Sequence, residues 1–223
     1  ARDNRDLFRK LYDQLDSKEP FSPDAASAGR RALRNMLLDY LAVLPDGAAL
    51  ASDHFATATN MTDRAAALMV LVHRHPGSPD ARSALAAFET KYHGDPLVMD
   101  KWFQIQATVP GAATVNNVRA LTGHPAFSMN NPNRVRSLIG TFASANQTGF
   151  HTPDGAGYTF FVQSVLEVEK RNPQVAARLA TALRSWRSLE PVRQAKAREA
   201  LLTIAAAEKL STDLRDIIER TLA

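Results

Sequence analysis

A chain of 223 residues, 45% of them apolar, can form one large domain or two small ones around a proper core, and nothing in its composition suggests disorder. Its 27 basic and 23 acidic residues leave a formal charge of +4 and are interleaved rather than gathered in runs, so a nucleic-acid partner is not expected. The absence of cysteine excludes a disulfide framework, a thiolate metal site and a thiol nucleophile, and suits a cytoplasmic protein.

The longest unbroken apolar run, Ala65 to Val72, is far short of the ~18 residues a membrane helix needs. The chain opens without methionine and already in helical pattern, so a piece of a longer polypeptide is expected. Leu7, Phe8, Leu11, Tyr12 and Leu15 recur at helical spacing and predict a first amphipathic helix that stops before Lys18-Glu19-Pro20. Ser22-Pro23 opens a second, carrying Leu33, Met36, Leu37, Leu38, Tyr40, Leu41 and Leu44 up to the turn at Pro45-Asp46-Gly47. A short helix holds Leu50 and Phe55, and Thr62 caps the next, which His75-Pro76-Gly77 ends.

Ser78-Pro79 and Asp95-Pro96 start the following helices, Pro110-Gly111 breaks the second of these, and Thr114 caps a short one with Val115, Val118 and Leu121. Asn131-Pro132 starts another with Val135, Leu138, Ile139 and Phe142; Asn146 to Asp154 reads as loop. Tyr158, Phe160, Phe161, Val165 and Val168 fill a core helix, Asn172-Pro173 and Glu190-Pro191 start two more, and Ser211 caps the last. Starts of the form cap-then-proline thus stand at Pro23, Pro79, Pro96, Pro132, Pro173 and Pro191, and no stretch alternates with the period of a strand. We therefore expect an all-α fold: an irregular, α-solenoid-like superhelical array of antiparallel helix hairpins, about twelve helices in all, forming a single domain over residues 1–223.

None of the six histidines, at 54, 73, 75, 93, 124 and 151, is followed by glutamate, so the zinc-protease motif His-Glu-x-x-His is absent. His73 and His75 diverge on a helix and make poor joint ligands, while His124 and His151 read as turn or packing residues. No Gly-x-Ser-x-Gly elbow accompanies Ser128, Ser137 or Ser144, so no catalytic triad is expected. Glu167 and Glu169 beside Lys170 and Arg171 read as a solvated face, and Tyr158, Phe160 and Phe161 as core. Two helix starts, at Asn131 and Asn172, place unpaired amides beside arginines, an arrangement suited to an anion. Gln174 and Arg178, four apart, share a side of their helix; Arg134 and Arg136 lie in the first turns of theirs. These arginines can equally tie helix ends to neighbouring carboxylates, and composition alone favours that role.

Several long strings resemble the C-terminal helical domain of bacterial aminopeptidase N, a zinc metallo-aminopeptidase of the His-Glu-x-x-His class. They are Asn60-Met61-Thr62-Asp63, Val98-Met99-Asp100-Lys101-Trp102-Phe103, Asn131-Pro132-Asn133-Arg134-Val135-Arg136-Ser137-Leu138-Ile139-Gly140, Phe150-His151 with Asp154-Gly155 and Gly157-Tyr158, and Arg171-Asn172-Pro173-Gln174-Val175-Ala176-Ala177-Arg178-Leu179. The resemblance implies a non-catalytic closing domain of a multidomain enzyme that caps the active-site cavity and controls peptide access and orientation during removal of N-terminal residues. It implies an upstream catalytic domain in the same polypeptide as partner, a peptide as substrate, and zinc held in the parent rather than here. The His-Glu-x-x-His and Gly-x-Met-Glu-Asn motifs of that class are missing from this sequence, so the chain alone should be inactive. By resemblance, Gln174 and Arg178, with Arg136 as companion, contact the peptide beyond the scissile bond. The alternative is a free-standing helical scaffold that binds a protein or nucleic acid.

Overall fold

The computed structural model describes residues 2–17 and 19–223; Ala1 and Lys18, and with Lys18 part of the expected first stop, lie outside them. The described residues are helices, turns and connections, with no strand among them. Contacts cluster into two units, Ala1–Tyr92 and His93–Ala223.

In the first unit, α1 (Arg5–Gln14) packs on α2 (Ala25–Leu41), and α2 and α3 (Gly47–Thr57) pack on α4 (Met61–Arg74), which is followed by α5 (Pro79–Tyr92). Its core gathers Tyr12, Leu38, Leu41, Leu68, Leu71 and Phe88. Two starts differ from expectation. Pro23 stands before the helix, because the Asp24 carboxylate caps α2 by accepting from Ser27 N–H at 3.0 Å and is itself held by the Ser22 hydroxyl at 2.6 Å. Asn60, not Thr62, caps α4: its Oδ1 accepts from Asp63 N–H at 2.9 Å while its Nδ2 donates back to the Asp63 carboxylate at 2.8 Å.

In the second unit, α6 (Pro96–Ala107) and α7 (Thr114–Leu121) precede α8 (Pro132–Val135), which runs through a π turn (Arg136–Gly140) into α9 (Thr141–Ala145). Then come α10 (Gln147–Phe150), α11 (Ala156–Glu169), α12 (Pro173–Ala180), α13 (Pro191–Ala205) and α14 (Thr212–Leu222). Prolines 79, 96, 132, 173 and 191 each occupy the first position of a helix, where a missing N–H costs nothing. Phe103, Phe142, Phe150 and Phe161 are fully buried, with Tyr158, Leu138 and Ile139 around them. Thr114 begins α7 without capping it, since its hydroxyl donates to the Val109 carbonyl at 2.7 Å. The expected loop from Asn146 to Asp154 contains the single turn α10, because buried Asn146 accepts from Gly149 N–H at 2.8 Å and donates to the carbonyls of Ala107 and Val109. Gly155, at φ 76°, supplies the left-handed residue that starts α11.

Candidate functional site

Two arginines of one short segment take opposite roles. The Asn131 carboxamide accepts from the N–H groups of Asn133 and Arg134, and Pro132 fixes the first turn, so Arg134 and Arg136 leave the helix start on different sides. Arg134 is only 6% exposed. Its guanidinium lies over the Phe103 ring at 5.7 Å and donates to the carbonyls of Ala126 at 2.9 Å and Pro96 at 2.8 Å and to the buried Asp100 carboxylate. Arg134 therefore ties the helix start to α6, as composition favoured for the whole set. Arg136 is exposed and donates to the Asn133 side-chain oxygen.

The π turn follows at once. Its wider i→i+5 spacing buries Ser137, Leu138 and Ile139 together and ends at Gly140, where an added Cβ would lie 3.3 Å from the Leu179 side chain. Glycine there keeps α12 close. On α12, Asn172 accepts from Val175 N–H at 3.1 Å, Val175 and Leu179 turn inward, and Gln174 and Arg178 are exposed.

Arg136 and Arg178 meet across a cleft of about 330 Å³, whose lining also includes Gly140, Thr141, Ser144 and Thr181. No aspartate or glutamate is among the described residues lining it. Gln174 lies outside this lining, one turn earlier on α12, so the cleft joins Arg178 to Arg136 rather than to its helical neighbour. The expectation of unpaired amides at the two helix starts is corrected, because the Asn131 and Asn172 side chains already accept from them. The positive charge of this cleft comes from guanidinium groups, which can hold a carboxylate or a carbonyl in a forked geometry.

The remaining candidates sort as packing. His151 shares a 2.7 Å hydrogen bond with the Tyr158 hydroxyl, and its carbonyl accepts from Arg193 at 2.5 Å; burial, then the Arg193 charge, lowers its pKa. His124 Nδ1 accepts from Ala126 N–H at 3.1 Å while the ring packs on Trp102 and Phe103. Glu167 faces solvent and pairs with Lys170 at 3.1 Å and with Arg171. Glu169, two residues on, turns inward, 7% exposed, and accepts from Ser211 N–H at 2.6 Å, so the solvated-face reading holds for the first carboxylate and fails for the second. Among the described residues, no three His, Asp or Glu side chains come together to hold a metal ion, and no helix is long and apolar enough to cross a membrane.

Sequence reasoning passed over His54. It is 2% exposed and its Nδ1 shares a 2.6 Å hydrogen bond with the Tyr12 hydroxyl. Burial foremost, and then the nearby Arg34 charge, push its pKa down to about 4, while burial pushes Tyr12 up to about 12. The available signal was spacing: His54 stands four residues after Leu50 and three after the buried Ala51, on the inner side of α3.

Comparison with known proteins gives this arrangement its context. The whole chain, residues 1–223, matches the family described as "Domain of unknown function (DUF3458_C) ARM repeats". It is 40% identical over 219 residues to aminopeptidase N of Caulobacter vibrioides and 43% identical over 227 residues to aminopeptidase N of Escherichia coli. These alignments take in 97% and 98% of this chain but 25% and 26% of the relatives, so the chain spans about a quarter of their length. The crystal structure of Legionella pneumophila aminopeptidase A in complex with aspartic acid superposes with a TM-score of 0.90 at 27% identity, over 100% of this chain and 27% of that one. An all-α array of short helical hairpins is what ARM repeats are, and the residues that carry the resemblance run through the aligned region. The chain belongs to this ARM-repeat family, and its match to about a quarter of aminopeptidase N is consistent with the C-terminal helical domain of such an enzyme.

Proposed function

We propose that residues 1–223 act as one closing domain that borders the route by which peptides reach the catalytic centre of the longer, cytoplasmic enzyme, and that they orient the peptide for removal of its N-terminal residue. The observation that carries this reading is the cleft of about 330 Å³ shared by Arg136 and Arg178, with no lining carboxylate among the described residues. Its guanidinium groups hold the peptide beyond the scissile bond through its carbonyls or terminal carboxylate, and Gln174, exposed on the same helix, makes a further contact along the chain. Zinc and the groups that bind it belong, in this reading, to the upstream catalytic domain of the same polypeptide. When bound there, the metal supplies the activated water; the residues of this chain bind and orient.

Each charge-assisted hydrogen bond contributes about 1.5–3 kcal/mol, or roughly ten- to a hundredfold in affinity. Arg178→Ala in the full-length enzyme should therefore raise KM for peptides of three or more residues by about that factor, and leave a single-residue amide substrate unchanged. Equal effects on both substrates would refute the orienting role.

A further inference from the structure

The cleft also carries hydroxyl groups whose protons are already committed. Ser144 Oγ donates to the Gly140 carbonyl at 2.8 Å, Thr181 Oγ1 to the Arg178 carbonyl at 2.7 Å, and Thr141 Oγ1 to the Arg136 carbonyl at 3.2 Å. A hydroxyl has one proton to give and two lone pairs to receive with. With the proton engaged inside the fold, each of these oxygens keeps lone pairs open to an N–H of a ligand. All three residues line the same cleft as Arg136 and Arg178, whose guanidinium groups can only donate. In this arrangement the cleft offers donors on its arginines and acceptors on its hydroxyls.

A simple anion would satisfy the guanidinium groups but could use the hydroxyls only if they gave up their bonds to the Gly140, Arg178 and Arg136 carbonyls. An extended peptide presents carbonyl oxygens and N–H groups in alternation along about 3.3 Å per residue, and answers both. Building on the peptide-orienting reading above, we propose that Ser144, Thr141 and Thr181 form the acceptor half of the subsite. They take backbone N–H groups of the bound peptide while Arg136 and Arg178 take its carbonyl or carboxylate oxygens. The substrate class selected is then a peptide with free amide hydrogens beyond the scissile bond, and N-alkylated or ester-linked chains are discriminated against.

The test uses the full-length enzyme and a short peptide series N-methylated at each amide beyond the scissile bond in turn. With wild-type enzyme, KM should rise about tenfold, with kcat held, when one particular amide is methylated. Ser144→Ala or Thr181→Val should show that loss on the unmethylated peptide and less than about twofold further loss on the methylated one, whereas Thr181→Ser, which keeps the hydroxyl, should behave as wild type. A purely structural role for these hydroxyls would instead lower affinity for every peptide alike and preserve the methylation penalty. That result, or hydroxyl variants that bind the unmethylated peptide as wild type does, or a wild type indifferent to methylation, would overturn the assignment. Arg178→Ala measured alongside separates the two levels. If it also leaves peptide KM unchanged, the peptide-orienting reading fails; if it raises KM while the hydroxyl variants do not, only the acceptor assignment fails.

Discussion

Two cavities of similar size, one in each unit, set arginines in opposite company. In the first unit, a cavity of about 320 Å³ is lined by Arg30, Arg31 and Arg34 together with Asp16, Glu19, Asp53 and Asp63. Arg34 pairs with Asp16 at 3.0 Å and covers the Tyr12 ring at 4.7 Å, Arg30 reaches Glu19 at 3.3 Å, and Arg31 lies over Phe21 at 4.6 Å. In the second unit, the cleft of about 330 Å³ holds Arg136 and Arg178 and no lining carboxylate among the described residues. The difference teaches that an arginine is read by the carboxylates that share its cavity. In the first cavity, carboxylates of the chain share the lining with the arginines; in the second, none does among the described residues, and that contrast is what the proposed peptide site draws on.

The sharpest contrast lies between Arg134 and Arg178. Arg134→Ala would leave Asp100 buried without its partner and should destabilise the second unit by about 3–5 kcal/mol in urea unfolding. Arg178→Ala, at an exposed position, should change stability by less than about 0.5 kcal/mol. Similar losses from both would erase the distinction between structural and ligand-facing arginines.

The first unit can be probed by acid. His54 is surrounded by Arg34, Asp63, Asp16 and Asp53, and its pKa falls from 6.5 to about 4 on folding, so the unfolded chain binds a proton there that the folded one refuses. Stability should be unaffected by this group above pH 6.5, decline as pH falls from 6.5 towards about 4, and be lower by about 3 kcal/mol beneath that window. His54→Gln, which has no such proton to refuse, should flatten this part of the pH–stability curve. An unchanged slope would mean that the buried imidazole takes its proton in the folded state. A smaller effect, about 1 kcal/mol, is expected from Asn60→Ala, which removes the cap of α4 and the return bond to Asp63. Loss confined to the first unit, seen by hydrogen exchange, would fit the two-unit description; uniform loss would argue for one cooperative block.

How much of this could be read from residues alone depended on whether the cause was local. Cap-then-proline starts were legible because both halves of the signal sit side by side, and at Pro79, Pro96, Pro132, Pro173 and Pro191 the helix begins on the proline. At Pro23 the same pattern misled by two positions, because Asp24 offers a better acceptor for the free amides. Gln174, Arg178 and Arg136 were named from their helix starts and from the family resemblance. The cleft they were meant to share depends on the π turn and α12 coming together at Gly140 and Leu179, a long-range contact that no spacing reveals. That contact is why Arg136 and Arg178 share a lining and Gln174 does not. Arg134 and Arg136 looked alike in sequence and differ because Asp100 and Phe103 wait on α6 for only one of them.

The most direct measurement of the shared cleft is a double-mutant cycle in the full-length enzyme, with KM read on one short peptide for Arg136→Ala, Arg178→Ala and the pair. If the two guanidinium groups hold the same ligand group, their losses should be non-additive by about fivefold or more, with kcat and the KM for a single-residue amide unchanged. Strict additivity, with each single change near unity, would contradict the claim that this cleft is where the peptide is held.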